Sequence, residues 1–106
     1  MSMKQIQNIL WLLALAATPA VAADTSILQR NQAFSQADVS ISVGDTVKWG
    51  NADPFNHNIS IRGGGVDTSL GIQKPDQVLS YKFDEAGAFT IICKIHPRMK
   101  MSVHVQ

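Results

Sequence analysis

Short runs in which apolar and polar residues alternate recur along the chain from about residue 24 to its end. Val39–Val43 reads Val-Ser-Ile-Ser-Val, and Met101–Val105 has an apolar residue at every second position. A period of two is typical of β-strands with one buried face, and no segment after residue 23 has the period of an amphipathic helix. Turn signals such as Gly44-Asp45 separate the runs. The pattern predicts an all-β fold, a Greek-key β-sandwich or barrel of about seven to eight strands.

Several other segments have a recognisable strand pattern, and one segment does not. The strand pattern recurs at Thr46–Trp49, Ile59–Ile61, Gln77–Phe83 and Ala88–Cys93, and an opening strand or bent strand pair is expected around Ile27, Leu28 and Phe34. Val66–Pro75 has the least regular pattern. We expect a loop there, with a short turn around Ser69–Ile72.

The first 23 residues have the organisation of a secretory signal peptide. Lys4 precedes the apolar run Ile9–Ala17, and the small residues Ala20, Ala22 and Ala23 follow. The run is well short of the roughly 20 residues that a membrane-spanning helix needs, and the Ala-x-Ala pattern favours cleavage. We therefore expect residues 1–23 to be removed after Ala22 or Ala23, which leaves one domain, residues 24–106, in a bacterial periplasm.

The charge of this domain limits the classes of partner. Without Lys4 the chain has eight basic and eight acidic residues. A net charge near zero argues against nucleic acid or an anionic membrane as the partner. We expect a monomer with no membrane span.

Four side chains have the chemistry of a metal site. The segment Cys93–Met99 contains a thiol, the imidazole of His96 and a thioether within seven residues, and His57 lies 36 positions upstream. One Cys, two His and one weak Met form the ligand set of blue-copper electron-transfer sites. Metal binding would also protect Cys93, the one cysteine of an exported chain. A cysteine enzyme would need a third group that orients the histidine, and no residue stands out for that role, so we predict no enzyme.

On these residues the chain resembles the cupredoxins, the small blue-copper proteins, over nearly the whole predicted domain. The residues that carry the resemblance are Phe34, Val39, Ile41, Gly44, Asp45, Val47, Trp49, Asn51, His57, Asn58 and the strand from Glu85 to Cys93. Gln36, Asn56 and Ile95 stand where prolines are common in the family. The resemblance implies one type 1 copper ion that alternates between Cu(I) and Cu(II), with His57, Cys93, His96 and Met99 as its ligands.

Two methionines compete for the axial position. The Cys-x2-His-x2-Met spacing, which is similar to that of the amicyanin branch, selects Met99, whereas the longer Cys-x2-His-x4-Met spacing of other members would select Met101. Met101 is in phase with Val103 and Val105, which predicts a core position for it. We favour Met99 and keep Met101 as the alternative.

The resemblance also implies how electrons would leave. The ring edge of His96 should reach the surface within an apolar rim of Phe55, Ile95 and Pro97. Backbone N–H groups near Asn58 should bond to the Cys93 sulfur, and the Asn58 side chain should tie the two ligand loops together. Transient redox partners, namely a c-type cytochrome, dehydrogenase or oxidase, would dock near His96. The charged residues that could steer an acidic partner are Lys94, Arg98, Lys100 and Arg62, whereas His104 is expected on the surface and Trp49 and Phe89 in the core. The alternative function is copper delivery or storage, which the absence of a Met- or His-rich stretch disfavours.

Overall fold

The computed structural model describes residues 21–106, so residues 1–20, most of the predicted signal peptide, lie outside the described residues. The described part contains nine strands: β1 Asp24–Arg30, β2 Ala33–Phe34, β3 Asp38–Ile41, β4 Thr46–Asn51, β5 His57–Gly63, β6 Val66–Gln73, β7 Val78–Lys82, β8 Gly87–Cys93 and β9 His96–Val105. Within residues 21–106 there is no helix that is long and apolar enough to cross a membrane. The all-β prediction is confirmed, with nine strands where about seven to eight were expected.

The strands form two sheets that pack face to face. One sheet has the order β2-β1-β4-β7, and the other has the order β3-β9-β8-β5-β6. The pairs β1–β4 and β3–β9 are parallel, and the other neighbours are antiparallel. Each sheet therefore takes strands from both halves of the chain, as a sandwich with crossing connections requires.

The core lies between the sheets and follows the alternation of the sequence. Along β9, Met101, Val103 and Val105 are buried while His104 is exposed, as predicted. Trp49 and Phe89 are also buried in this core. Burial of one face of each strand is the main source of stability for a domain of this size.

The loop predicted for residues 66–75 is wrong. Val66–Gln73 forms β6, an edge strand paired antiparallel with β5. Its inward positions include the polar Thr68, and Gly71 has a left-handed φ of 90°, so the apolar alternation that identifies a strand is weak. An edge strand is half-exposed and tolerates such a sequence.

The β5–β6 turn depends on one glycine for close approach. Gly63 has φ 133°, and a Cβ atom there would overlap the carbonyl oxygen of Ala88 on β8. Only glycine combines this dihedral angle with so close a contact between backbones. The turn lies at the end of β5 remote from His57.

Candidate metal centre

Three of the predicted metal-binding side chains come together at one end of the five-stranded sheet. His57 begins β5, Cys93 ends β8 and His96 begins β9. The two Nδ1 atoms of the histidines are 3.1 Å apart, and the Cys93 sulfur lies 3.8 Å from Nδ1 of His57 and 3.7 Å from Nδ1 of His96. Two nitrogens and one sulfur therefore form a small triangle with two nearly equal nitrogen–sulfur edges and a shorter nitrogen–nitrogen edge.

The triangle has the size of a metal site. An ion in its plane, about 2.0–2.1 Å from each nitrogen and about 2.3 Å from the sulfur as in zinc sites, needs roughly 3.6 Å between the nitrogens and roughly 3.8 Å between nitrogen and sulfur. The nitrogen–sulfur edges of 3.8 and 3.7 Å match the second value, and the nitrogen–nitrogen edge of 3.1 Å is shorter than the first. One soft thiolate with two imidazoles suits copper in both of its oxidation states.

The β8–β9 hairpin explains how the second histidine reaches the cysteine. Cys93 pairs with His96 across the two-residue turn, whereas Ile92 pairs with Lys100. The register therefore shifts, and residues 97–99 form a bulge on β9. Such bulges reorient side chains at the ends of sheets.

Asn58 ties the cysteine to β5 and β6. Its backbone N–H donates to the Cys93 sulfur at 3.3 Å, as predicted. Its side-chain oxygen accepts the Lys94 N–H at 3.2 Å and the Ser60 hydroxyl at 2.7 Å, and its Nδ2 donates to the Gly71 carbonyl oxygen at 3.0 Å. The residue thus fixes the sulfur and the turn that follows it.

Asp53 is a functional residue that the sequence reasoning missed. Its Oδ2 lies 2.7 Å from Nε2 of His57, and the backbone N–H groups of Asn31 and Gln32 donate to its two oxygens at 2.6 and 3.1 Å. Burial alone would raise the pKa of the Asp53 carboxyl, but the Gln32 N–H, the His57 ring and the Asn31 N–H hold its pKa below the ordinary value. The carboxylate orients the His57 ring so that Nδ1 faces the Cys93 sulfur. The one sequence signal for this role was the position of a carboxylate, Asp53, four residues before the predicted ligand His57.

The two methionines have different surroundings. Both are 2% exposed, but Met101 packs in the core between the sheets, and its sulfur accepts a hydrogen bond from the Trp49 indole N–H at 3.5 Å. Met99 lies outside that core and shares a surface groove with His96. The Met101 sulfur is therefore engaged elsewhere, which leaves Met99 as the better candidate.

The surface above the site is apolar at its centre. His96 is half-buried, and Ile95 and Phe55 are 46% and 37% exposed beside it. The centroid of the Phe55 ring lies 5.4 Å from those of both His57 and His96. With the exposed Pro97, these side chains surround His96 as predicted.

Three of the four predicted steering charges lie on the segment that carries His96, and the fourth is on β5. Lys94, Arg98 and Lys100 are exposed on the segment that carries His96. Arg62 lies further from the site along the sheet, because it pairs with Thr90, three residues before Cys93, and follows His57 by five residues along β5, roughly 17 Å in an extended strand. It instead approaches Asp67 of β6, with 3.5 Å between Nε and Oδ1.

Comparisons with known proteins agree with this geometry. Residues 21–106 match the family model described as copper binding proteins, plastocyanin/azurin family. Amicyanin-alpha of Methylorubrum extorquens is 31% identical over 94 residues, which cover 86% of this chain and 79% of the relative. A reduced-state amicyanin variant matches with a TM-score of 0.71 and an oxidised-state variant with 0.72, each at 27% identity, covering 77% of this chain and 81% of that chain. The likeness thus extends over most of the described residues.

Proposed function

The chain belongs to the plastocyanin/azurin family of copper-binding proteins, and on that premise we propose that it shuttles single electrons between redox partners in the periplasm. As a member of this family with amicyanin relatives, it is a blue-copper electron-transfer protein and not an enzyme. Its cofactor is copper. The proposal concerns which residues hold the ion, where the protein works and what it contacts.

The main support for the proposal is the close approach of three possible ligand atoms, Nδ1 of His57, Sγ of Cys93 and Nδ1 of His96. These three atoms would hold one copper ion, with the Met99 thioether as its fourth and weakest ligand. The bound copper supplies a one-electron couple between Cu(I) and Cu(II). Asp53 and Asn58 hold His57 and Cys93 in place, so the site needs little rearrangement when the charge changes.

The electron would leave through His96. Of the four proposed ligands only His96 is not buried, since His57 and Cys93 are fully covered and Met99 is 2% exposed. Its apolar rim of Phe55, Ile95 and Pro97 suits a small transient contact.

The proposed partners are acidic at the docking face. Lys94, Arg98 and Lys100 would attract such a face and speed the encounter, an effect that weakens as salt is added. The proposed partner classes are a donor dehydrogenase or cytochrome and an accepting c-type cytochrome or oxidase. The proposed periplasmic location rests on the signal-peptide pattern of residues 1–23.

The test is a copper titration of the purified protein, followed by visible and EPR spectroscopy. We expect an intense thiolate-to-copper band that disappears with ascorbate and returns with an oxidant. Met99→Leu should alter the spectrum and the reduction potential, whereas Met101→Leu, the matched control, should leave both nearly unchanged.

Two outcomes would reject the proposal. A colourless protein that releases copper to a weak chelator would instead indicate copper delivery or storage. A spectrum disturbed only by Met101→Leu would remove Met99 from the axial position.

A further inference from the structure

The turn between β3 and β4 contains Asp45, whose carboxylate accepts hydrogen bonds from two backbone N–H groups. Gly44 has a left-handed φ of 94°, and the next residue, Asp45, is only 9% exposed. Its Oδ2 accepts the Ser42 N–H at 3.0 Å, and its Oδ1 accepts the N–H of Ala23 at 2.9 Å. The second bond joins the turn to the residue just before β1.

Ala23 is also where the hydrogen bonding of the first strand begins. Its carbonyl oxygen accepts the Thr46 N–H at 3.0 Å, one position ahead of the parallel pairing of Asp24 with Thr46. Val21, two residues earlier, is 89% exposed. The chain therefore passes from solvent into the sheet at Ala23.

Asp45 lacks a cationic partner within residues 21–106. The contacts in that range between carboxylates and basic side chains are Lys48–Asp24, His57–Asp53, Arg62–Asp67 and Lys82–Asp84. The Ala23 and Ser42 N–H groups lower the pKa of the Asp45 carboxyl, so it is ionised at neutral pH. A charged donor forms a stronger hydrogen bond to such a carboxylate than a neutral N–H does.

Cleavage after Ala22 and cleavage after Ala23 would have different effects on the hydrogen bonds of Ala23. Cleavage after Ala23 removes the Asp45–Ala23 bond and the Thr46–Ala23 bond together. Cleavage after Ala22 keeps both and turns the Ala23 N–H into an α-ammonium group, which is protonated at neutral pH because its pKa is about 7.7–8.0.

We propose that the mature protein begins at Ala23 and that the Asp45 carboxylate holds its new α-ammonium group. In the step that creates this terminus, a signal peptidase hydrolyses the Ala22–Ala23 peptide bond with one water, leaving a carboxylate on Ala22 and an amine on Ala23 that takes up a proton. The inference rests on the export that the proposed function includes. It assigns Asp45 a role that is independent of copper.

The first experiment determines the N-terminus of the exported protein. The full chain is expressed with its own leader in a Gram-negative host, the periplasmic protein is analysed by intact mass and N-terminal sequencing, and the same sample is titrated with copper. We expect a sequence that starts Ala-Asp-Thr. A start at Asp24 or an unprocessed chain would overturn the inference. A protein that starts at Ala23 but forms no blue copper site would keep the inference and reject the electron-transfer proposal.

A second experiment tests the ammonium–carboxylate contact itself. Proteins that start at Ala22, Ala23 and Asp24 are produced by cleavage of a removable N-terminal tag, each with and without Asp45→Asn, and their thermal midpoints are compared. The protein that starts at Ala23 should have the highest midpoint of the three, by a few degrees. This advantage should largely disappear in Asp45→Asn. Equal midpoints for the three starts, or an advantage that survives Asp45→Asn, would overturn the inference.

Discussion

Removal of the negative charge behind His57 should raise the reduction potential of the copper site. The Asp53 oxygen lies 2.7 Å from Nε2 of His57. The imidazole ring and a metal–nitrogen bond of about 2.0–2.1 Å place the carboxylate roughly 6.5 Å from an ion bound at Nδ1. An anion at that distance stabilises Cu(II) more than Cu(I), because Cu(II) has the larger positive charge.

The magnitude follows from Coulomb's law. One unit charge at roughly 6.5 Å with an effective dielectric constant of about 20 interacts by about 2.5 kcal/mol. A one-electron couple shifts by about 100 mV for 2.3 kcal/mol. Asp53→Asn should therefore raise the potential by about 100 mV, while the amide oxygen of the new side chain would still accept one of the N–H bonds that Asp53 accepts from Asn31 and Gln32.

The assay is a redox titration or cyclic voltammetry of the copper-loaded protein. Asp67→Asn is the matched control, because Asp67 is exposed and pairs with Arg62 far along β5, so its potential should move much less. EPR spectra of both variants test whether the copper geometry is kept. An unchanged or lowered potential in Asp53→Asn with an unchanged EPR spectrum would refute the electrostatic reasoning.

Three further predictions concern stability and copper retention. Gly63→Ala should lower the free energy of unfolding in urea by about 1–3 kcal/mol, because the backbone has a left-handed φ there and the added Cβ would overlap the Ala88 carbonyl oxygen. Gly65→Ala is the control and should cost less, because the space around Gly65 is open. Because the pKa of Asp45 is lowered in the folded protein, the ionised carboxylate stabilises the fold above its ordinary pKa of 3.8. This stabilisation is lost as the pH falls through the lower pKa of the folded protein. The thermal midpoint of Asp45→Asn should therefore depend less on pH in that acidic range than the midpoint of the unaltered protein. Asn58→Ala should lose copper to a chelator about 10- to 100-fold more readily, and unchanged retention would argue against its supporting role.

The parts of this protein that could be predicted from the sequence are those with local signals. Alternation located most strands, and the spacing of Cys93, His96 and Met99 identified the metal chemistry within seven residues. β6 was missed because an edge strand buries little and tolerates Thr68 and Gly71.

Contacts between distant segments were outside the reach of such signals. Asp53 accepts hydrogen bonds from Asn31 and Gln32, which are more than twenty positions away in the sequence. These two residues form a turn with left-handed φ angles, and neither has a side chain typical of a metal site. The contact of Arg62 with Asp67 was missed for a related reason, because it depends on the pairing of β5 with β6. Which polar group supports which ligand is decided by the tertiary packing.

The supporting contacts divide the proposed ligands into fixed ones and an accessible one. His57 is held by Asp53, and Cys93 receives the Asn58 N–H, so both are buried and bonded within the protein. His96 is held by the hairpin turn at Cys93 and keeps contact with solvent. In the proposed function, a rigid interior side would limit reorganisation when the copper changes charge, and one exposed ring would confine electron exchange to a single face. The same asymmetry places the apolar rim of Phe55 and Ile95 around the one exposed ring, so the proposed route of the electron follows from the way the protein holds the site.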